Sequence, residues 1–481
     1  MWPPTVMWTK EGRFPHLPDA VASPRTAEEV AQLLVWAARE RIPVVPYGAG
    51  SGVCAGAMPI KGGLVLSLKR MDALVGVDAE SLVAEVETGI YGEILERRLA
   101  PLGCTMGHFP SSIYCSTLGG YLAARSAGQM SSRYGKIEDM AVGIEFVLPD
   151  GGIHRTLPCP IGMARPDWAQ VLIGSEGALG VITRAWMRVH PLPQHRVFHS
   201  FHFPGVGLGL EAMRKIMQAG VAPAVLRLYD EFDSLVAGSH GASKDAAARF
   251  DDAPGGWEAR LAETFETLKK KSLAAILPRA GWLNRAAGLL PGKCLLVLVT
   301  EGEPDLAEHE ARRAAALCRQ ASGESRGEGP ARYWLEHRYA VSYKQSKIFD
   351  AGGWVDTMEV ASPWRALEPM YNAVRAAVAD DVFIMAHFSH AWPDGCCIYF
   401  SFAGMAENAA QMEVRHARVW RKALDAVHRL GGTITHHHGV GLSKGPMLVT
   451  EYGGLWPLWK QVKAALDPDG VMNPGKLGLA P

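Results

Sequence analysis

The chain has 481 residues, 48% of them hydrophobic and 20% charged, the balance of a globular protein and not of a disordered one. At roughly 100–200 residues per domain it has room for two or three domains. Lys and Arg number 49 and so do Asp and Glu, so the formal net charge is zero, without the cation excess on which nucleic-acid binding rests. No apolar run approaches the roughly 18 residues of a membrane-spanning helix. Met1-Trp2-Pro3-Pro4 lacks a secretory layout, and Leu477-Gly478-Leu479-Ala480-Pro481 is no peroxisomal address. The eight cysteines show no C-x-x-C pair, so reduced thiols and a cytoplasmic enzyme are expected.

In chain order, Thr26 and Glu29 form a capping-box pattern, and Val30, Leu33, Leu34 and Ala37 recur at helical spacing. A strand is expected over residues 42–47. The loop Gly48-Ala49-Gly50-Ser51-Gly52 follows it directly, a strand–helix–Gly-loop set of the α/β nucleotide-binding kind. Further strands are expected over 65–68, 82–86 and 142–148, the last closed into a hairpin by Pro149-Asp150-Gly151-Gly152. Pro191-Leu192-Pro193 reads as a linker. Beyond it, strands over 295–300, 382–387 and 397–403 alternate with helices over 308–319 and 412–430, the pattern of an α+β domain with an antiparallel sheet. Residues 466–476 are turn-rich. One stretch breaks the charge balance: residues 269–293 carry six cations and no Asp or Glu, interleaved with Trp282 and several Leu. Such a segment suits either a solvated surface pair of helices or peripheral contact with a membrane.

The glycine loops carry the chemistry. Pro46-Tyr47-Gly48-Ala49-Gly50-Ser51-Gly52 fails the G-x-G-x-x-G dinucleotide pattern at Val53, yet its N–H groups can converge on a pyrophosphate. Ser116-Thr117-Leu118-Gly119-Gly120, with Ser126-Ala127-Gly128 after it, and Gly174-Ser175-Glu176-Gly177-Ala178-Leu179-Gly180-Val181-Ile182-Thr183 are two more such blocks. Three of them can wrap one long phosphate-bearing ligand with main-chain donors.

Together with Pro18-Asp19-Ala20-Val21 and Asn473-Pro474-Gly475-Lys476, these blocks resemble the vanillyl-alcohol oxidase / p-cresol methylhydroxylase superfamily of FAD enzymes, in family order and over nearly the whole chain. The resemblance implies an α+β protein with a two-part FAD-binding domain, residues 1–192 completed by 446–481, and an α+β cap, 193–445, with an antiparallel sheet. It implies FAD held by Pro46, Gly48, Ala49, Gly50, Ser51, Gly52, Ser116, Thr117, Gly119, Gly120, Ser126, Gly128, Glu176, Gly180, Ile182 and Asn473. In the berberine-bridge branch a Cys placed like Cys115 bonds to the flavin. That branch also uses a loop His, which residues 46–56 lack, so non-covalent FAD is expected.

Within the superfamily the cap is most similar to alkylglycerone-phosphate synthase, through Leu226-Arg227-Leu228-Tyr229-Asp230, Cys397-Ile398-Tyr399-Phe400 and His436-His437-His438-Gly439-Val440-Gly441. By that match Tyr399 is the acid/base tyrosine, Arg227 a substrate-site arginine, and His437 and His438 face the flavin. The chain departs at Gln345, where that family has a second arginine; Lys344 and Lys347 flank it. The D-2-hydroxy-acid dehydrogenases are the other similar branch. Of their metal-binding histidines this chain keeps His390, and no second His follows at ligand spacing, so no metal is expected. Strand alternation over the His triplet would also turn neighbouring imidazoles to opposite faces.

Two chemistries follow from the resemblance. In the first, a small 2-hydroxy acid or alcohol is oxidised by hydride transfer to flavin, with Arg227 on its acid group and Tyr399 or a His taking the hydroxyl proton. In the second, an acyl group is exchanged for a fatty alcohol in ether-lipid synthesis. A homodimer is the expected assembly.

Overall fold

In a computed structural model the chain is described over residues 2–159, 166–238, 279–288, 293–339, 346–350 and 352–480. It divides into two compact units, Met1–Leu192 with Ile434–Pro481, and Pro193–Thr433. The returning tail therefore starts at Ile434, ahead of the expected 446. The Pro-Leu-Pro segment is only partly a linker, because His190–Pro191 pairs antiparallel with Cys104–Thr105.

The first unit holds two sheets. Ala20–Ala22, Leu64–Ser67 and Val44–Tyr47 form a three-stranded parallel sheet with Leu64–Ser67 in the centre. Helix Ala27–Arg39 covers it, starting at Thr26, whose hydroxyl accepts the Glu29 N–H at 3.2 Å. The capping box is incomplete: the Glu29 carboxylate takes the Arg25 N–H at 2.7 Å. The helix buries Val30, Ala31, Leu34 and Ala37 in a cluster with Val44, Leu64 and Leu66. Leu34 is fully buried there, a position where truncation to Ala typically costs about 2–5 kcal/mol. The second sheet is antiparallel and runs Leu74–Asp78, Val83–Glu87, Val181–Arg188, Ala141–Val147, Ile153–Arg155. Its last pair is the expected hairpin.

The tail is built into this unit. Val44 donates to the Val471 carbonyl and accepts from the Asn473 N–H, both at 2.8 Å. Lys463, from helix Trp456–Leu466, donates to the carbonyls of Ala178 and Met472 and pairs with Asp467.

The second unit is one seven-stranded antiparallel sheet, ordered Glu324–Gly327, His195–Phe203, Cys294–Gly302, Val225–Tyr229, Phe383–Ala391, Gly395–Met405, Gly353–Pro363. Side chains alternate between faces along each strand. Leu228 meets helix Val206–Gln218 at Gly209, and Phe388 and Phe400 pack on Tyr371 of helix Trp364–Val378. These residues mark one face, while helix Gly329–His337 packs on the other, its Ala331 N–H donating to the Ser200 hydroxyl at 3.1 Å. Arg227, Tyr229, His387 and Tyr399, one register away, share the other. Helix Ala409–Arg429 is fastened through Asp356, which accepts from His416 at 2.6 Å and Trp420 at 2.8 Å.

Most of the basic stretch 269–293 lies outside the described residues, as do Lys344 and Gln345 and the side chain of Lys347. Helix Ala280–Gly288, which carries the exposed Trp282, is pinned by Asn284 to the carbonyls of Ala379 and Val382. Among the described residues no helix is long and apolar enough to cross a membrane.

Candidate active site

In the first unit the three glycine loops meet. A Cβ on Gly48 would lie 2.2 Å from the Thr117 hydroxyl oxygen, and one on Gly177 would lie 2.7 Å from the Pro46 ring. Gly48 and Gly177 are thus points of close approach where a side chain has no room. Thr117 caps helix Leu118–Ala124 by accepting from the Gly120 N–H at 3.3 Å.

The expectation that all three loops offer main-chain donors is corrected by their hydrogen bonds. Gly119 donates to Thr88, Gly120 to the Thr117 hydroxyl, Gly174 to Leu122 and Glu176 to Ala123. From Ala49 to Gly52, by contrast, the N–H groups have no backbone acceptor among the described residues. Only the first loop keeps a row of donors for an anion. Gly180 and Ile182 have packing reasons: a Gly180 Cβ would strike the Val147 carbonyl at 2.8 Å, and Ile182 belongs to the core of the five-stranded sheet. Ser116 is buried on Ser112 and Tyr121. Gly128 lies close against Phe109, and the Ser126 hydroxyl is 3.2 Å from His108 Nε2.

Glu176 is placed differently from the way its motif suggests. Its backbone sits at φ +49°, and its carboxylate accepts the N–H groups of Val440, at 2.5 Å, and Gly441, at 2.9 and 3.1 Å. Burial pushes this carboxyl up to about 6, against the pull of those N–H groups and of Lys444 and Lys476. Burial likewise draws Lys476 down to about 8, with Glu176 opposing. Asn473 completes the junction, donating to the carbonyls of Glu176 at 2.6 Å and Gly56 at 2.9 Å. Its Oδ1 is buried with no hydrogen-bond partner among the described residues.

This junction fixes the His triplet. Residues 436–438 are bends and not a strand, so the alternation expected for them does not hold. The His436 and His437 Nδ1 atoms lie 2.9 Å apart, which requires one to donate and the other to accept, and the His437 and His438 ring centroids are 4.6 Å apart. Lys136 holds the loop by donating to the His436 carbonyl at 2.6 Å. Cys115 is exposed with a free thiol. His390 sits in a bulge of strand Phe383–Ala391 at φ +55°.

In the second unit Arg227 and Tyr399 are drawn together through a residue that sequence reasoning missed. Arg227 Nη2 is 2.5 Å from His387 Nε2, and His387 Nδ1 is 3.1 Å from the Asp233 carboxylate. The Tyr399 ring stacks on His387 with centroids 4.6 Å apart and planes 16° apart. The guanidinium also lies 5.3 Å from the Tyr229 ring centroid and 5.8 Å from that of Trp334. Burial, reinforced by Arg227, holds the His387 imidazole well below its ordinary range. Burial pushes Asp233 up to about 6, with Arg227 pulling the other way. The Tyr399 phenol is pushed up to about 12, again by burial, against Thr357 and Arg227. The signal for His387 was its register opposite Tyr399 in the neighbouring strand, which a single sequence does not display.

With this geometry in hand, the comparisons with known proteins are decisive for the family. Residues 192–477 match the family described as FAD linked oxidases, C-terminal domain, and residues 18–157 match the FAD binding domain family. The chain belongs to the FAD-linked oxidase family. It is accordingly an FAD enzyme. It is 28% identical to an alkyldihydroxyacetonephosphate synthase of Dictyostelium discoideum, over 97% of this chain and 74% of that protein. It is 26% identical to the glycolate oxidase subunit GlcD of Bacillus subtilis, over 97% of this chain and 90% of that one. The solved structure of p-cresol methylhydroxylase with substrate bound superposes with a TM-score of 0.70 at 16% identity, covering 97% of this chain and 90% of that chain, a likeness of fold. The FAD-linked oxidase thus has the two-part FAD-binding domain and α+β cap that its motifs imply.

Two expectations follow. Asn473→Ala removes both ties to Gly56 and Glu176, so it should lower stability by about 1–3 kcal/mol and speed FAD loss. FAD release on dilution, read by flavin fluorescence beside a melting curve, checks this; unchanged retention would make the tie dispensable. The second concerns His108, fully buried and drawn down to about 3 by burial and by Lys136. The unfolded chain protonates this residue near pH 6.5, while the folded chain does so only near 3. Its contribution to stability is therefore present above about pH 6.5 and lost as pH falls, by about 1.4 kcal/mol per pH unit. Buried carboxyls such as Glu176 titrate with the opposite sign, so the test is a difference: between pH 7 and 5, a His108→Gln variant should lose less stability than the parent.

Proposed function

We propose that this FAD-linked oxidase oxidises a small 2-hydroxy acid or alcohol. The observation that carries the reading is Arg227. Among the described residues it forms no ion pair, and its Nε is buried without a hydrogen-bond partner. It lies on the same sheet face as Tyr399, beside Trp334 of helix Gly329–His337. An unneutralised guanidinium with a spare N–H suits a substrate's acid group.

FAD, bound non-covalently, supplies the acceptor for the substrate's hydride. The residues at the loop junction fit such a group: the N–H groups of Ala49 to Gly52 suit its pyrophosphate, and the leftover acceptor on Asn473 adds a polar contact. The close approaches at Gly48 and Gly177 bring the walls together. Arg227 orients the substrate by its acid group. With a phenol near 12, Tyr399 carries its proton at neutral pH, so it acts first as a donor to the substrate oxygen. Taking the hydroxyl proton falls to His437 or His438, whose side-chain type titrates near neutrality.

A second reading is supported by the similarity to alkyldihydroxyacetonephosphate synthase over 97% of the chain: exchange of an acyl group for a fatty alcohol on a phosphate-bearing substrate, with Arg227 on the phosphate. Anaerobic mixing with a panel of 2-hydroxy acids separates the two. Flavin bleaching is expected under the first reading; consumption of acyl-dihydroxyacetone-phosphate without bleaching would establish the second. Under either, Tyr399→Phe should retain FAD and slow turnover by roughly 10²–10⁴-fold, and normal turnover in that variant would leave Tyr399 a packing residue.

A further inference from the structure

We propose that His387 and Asp233 are positioning residues that present Arg227 to the substrate with its charge intact, a neutral imidazole standing between the guanidinium and the Asp233 carboxylate. The proposal rests on the reading that Arg227 anchors a substrate oxyanion, and it goes further by assigning what makes that anchor selective for an anion.

The hydrogen bonds fix the imidazole's state. Arg227 can only donate, so the His387 Nε2 atom, 2.5 Å from Nη2, must accept. The Asp233 carboxylate accepts, so Nδ1, 3.1 Å away, carries the proton. A protonated ring would turn an N–H toward the guanidinium, and the other neutral tautomer would do the same. One neutral tautomer therefore satisfies both neighbours. Tyr399, stacked on the ring 4.6 Å away, and Tyr229, 5.8 Å away, hold its plane.

The consequence is electrostatic. A carboxylate in the place of His387 would neutralise Arg227 and compete with any substrate acid for the same N–H groups. An imidazole instead takes one N–H and leaves the charge and the Nε donor. Asp233 supports the ring from behind without touching Arg227. The site is thus built to hold a guanidinium still while keeping it cationic, the requirement for binding a carboxylate or phosphate oxyanion tightly.

Calorimetric titration of the FAD-loaded full chain with glycolate, and separately with inorganic phosphate, tests this. Flavin content and melting temperature are recorded for every variant. His387→Gln keeps an uncharged acceptor toward Arg227 and should bind the anion within about threefold of the parent. His387→Glu should weaken it at least about tenfold, since the new carboxylate pairs with Arg227. Asp233→Asn, which no longer fixes the tautomer, should fall between them. The stronger of the two probes tells a carboxylate site from a phosphate site. Parental affinity in the His387→Glu variant, or equal losses in the Gln and Glu variants, would overturn the proposal alone. A parent that binds neither anion would remove the reading of Arg227 beneath it, and the proposal with it.

Discussion

One buried carboxylate closes the cofactor-binding unit. That unit is discontinuous, and the chain leaves it after Leu192 and returns only at Ile434. Closing so long an excursion costs entropy that contacts at the seam must offset. Glu176 supplies the central contact, accepting N–H groups from residues 264 and 265 positions further on. Asn473 adds donors to Gly56 and to the Glu176 carbonyl, and the Val44–Asn473 hydrogen bonds extend the parallel sheet into the tail. The placement of the glycine loops and of the His loop depends on this seam. Its cost is visible in the two ionisable partners that burial perturbs in opposite directions, Glu176 up and Lys476 down. Removing a single member would leave the others buried and less satisfied, which makes the seam cooperative.

The parts of this arrangement legible in the sequence are those set by short-range rules. Thr26 capping a helix, the Pro-Asp-Gly-Gly hairpin and the glycine runs after strands each state their geometry within a few residues. The alternation Ile398, Tyr399, Phe400 correctly assigns the two faces of the sheet once the strand is known, Phe400 packing on Tyr371 and Tyr399 on His387. What the sequence hides is long-range. Nothing local distinguishes a Glu176 that faces a ligand from one that faces Val440, and nothing local shows that Gly119 and Gly120 have spent their N–H groups inside the protein. Both mistakes have the same origin: a glycine-rich motif announces close approach, and whether the neighbour is a cofactor or another strand is decided by the fold. His387 was missed for the complementary reason, since a histidine in an apolar strand carries no mark of the arginine two strands' pairing brings to it.

The second unit solves a different problem, keeping charge in a protein interior. Two arginines in it are held in contrasting ways. Arg375 is paired directly with the buried Asp230, which also accepts from Tyr371 and from the N–H of Ala386. That guanidinium is consumed by structure, fastening helix Trp364–Val378 to the sheet. Arg227 lies on the opposite face with a neutral partner and an unused donor. The same residue type, within one unit, is paired with a carboxylate where it holds the fold and left with a neutral partner on the other face of the sheet.

This contrast bears on how Tyr399 can work. A phenol near 12 is a poor base at neutral pH. Arg227 is among the influences that lower it, so anything that neutralised Arg227 would raise the phenol further and keep its proton in place at neutral pH. Under the proposed reading, a substrate anion on the guanidinium would do this in part and keep Tyr399 protonated, a hydrogen-bond donor toward the substrate. The proposed oxidation therefore needs a group other than the Tyr399 phenol to accept the substrate's proton. Under the proposed reading, the anchor assigned to Arg227 and the donor assigned to Tyr399 follow from one charge.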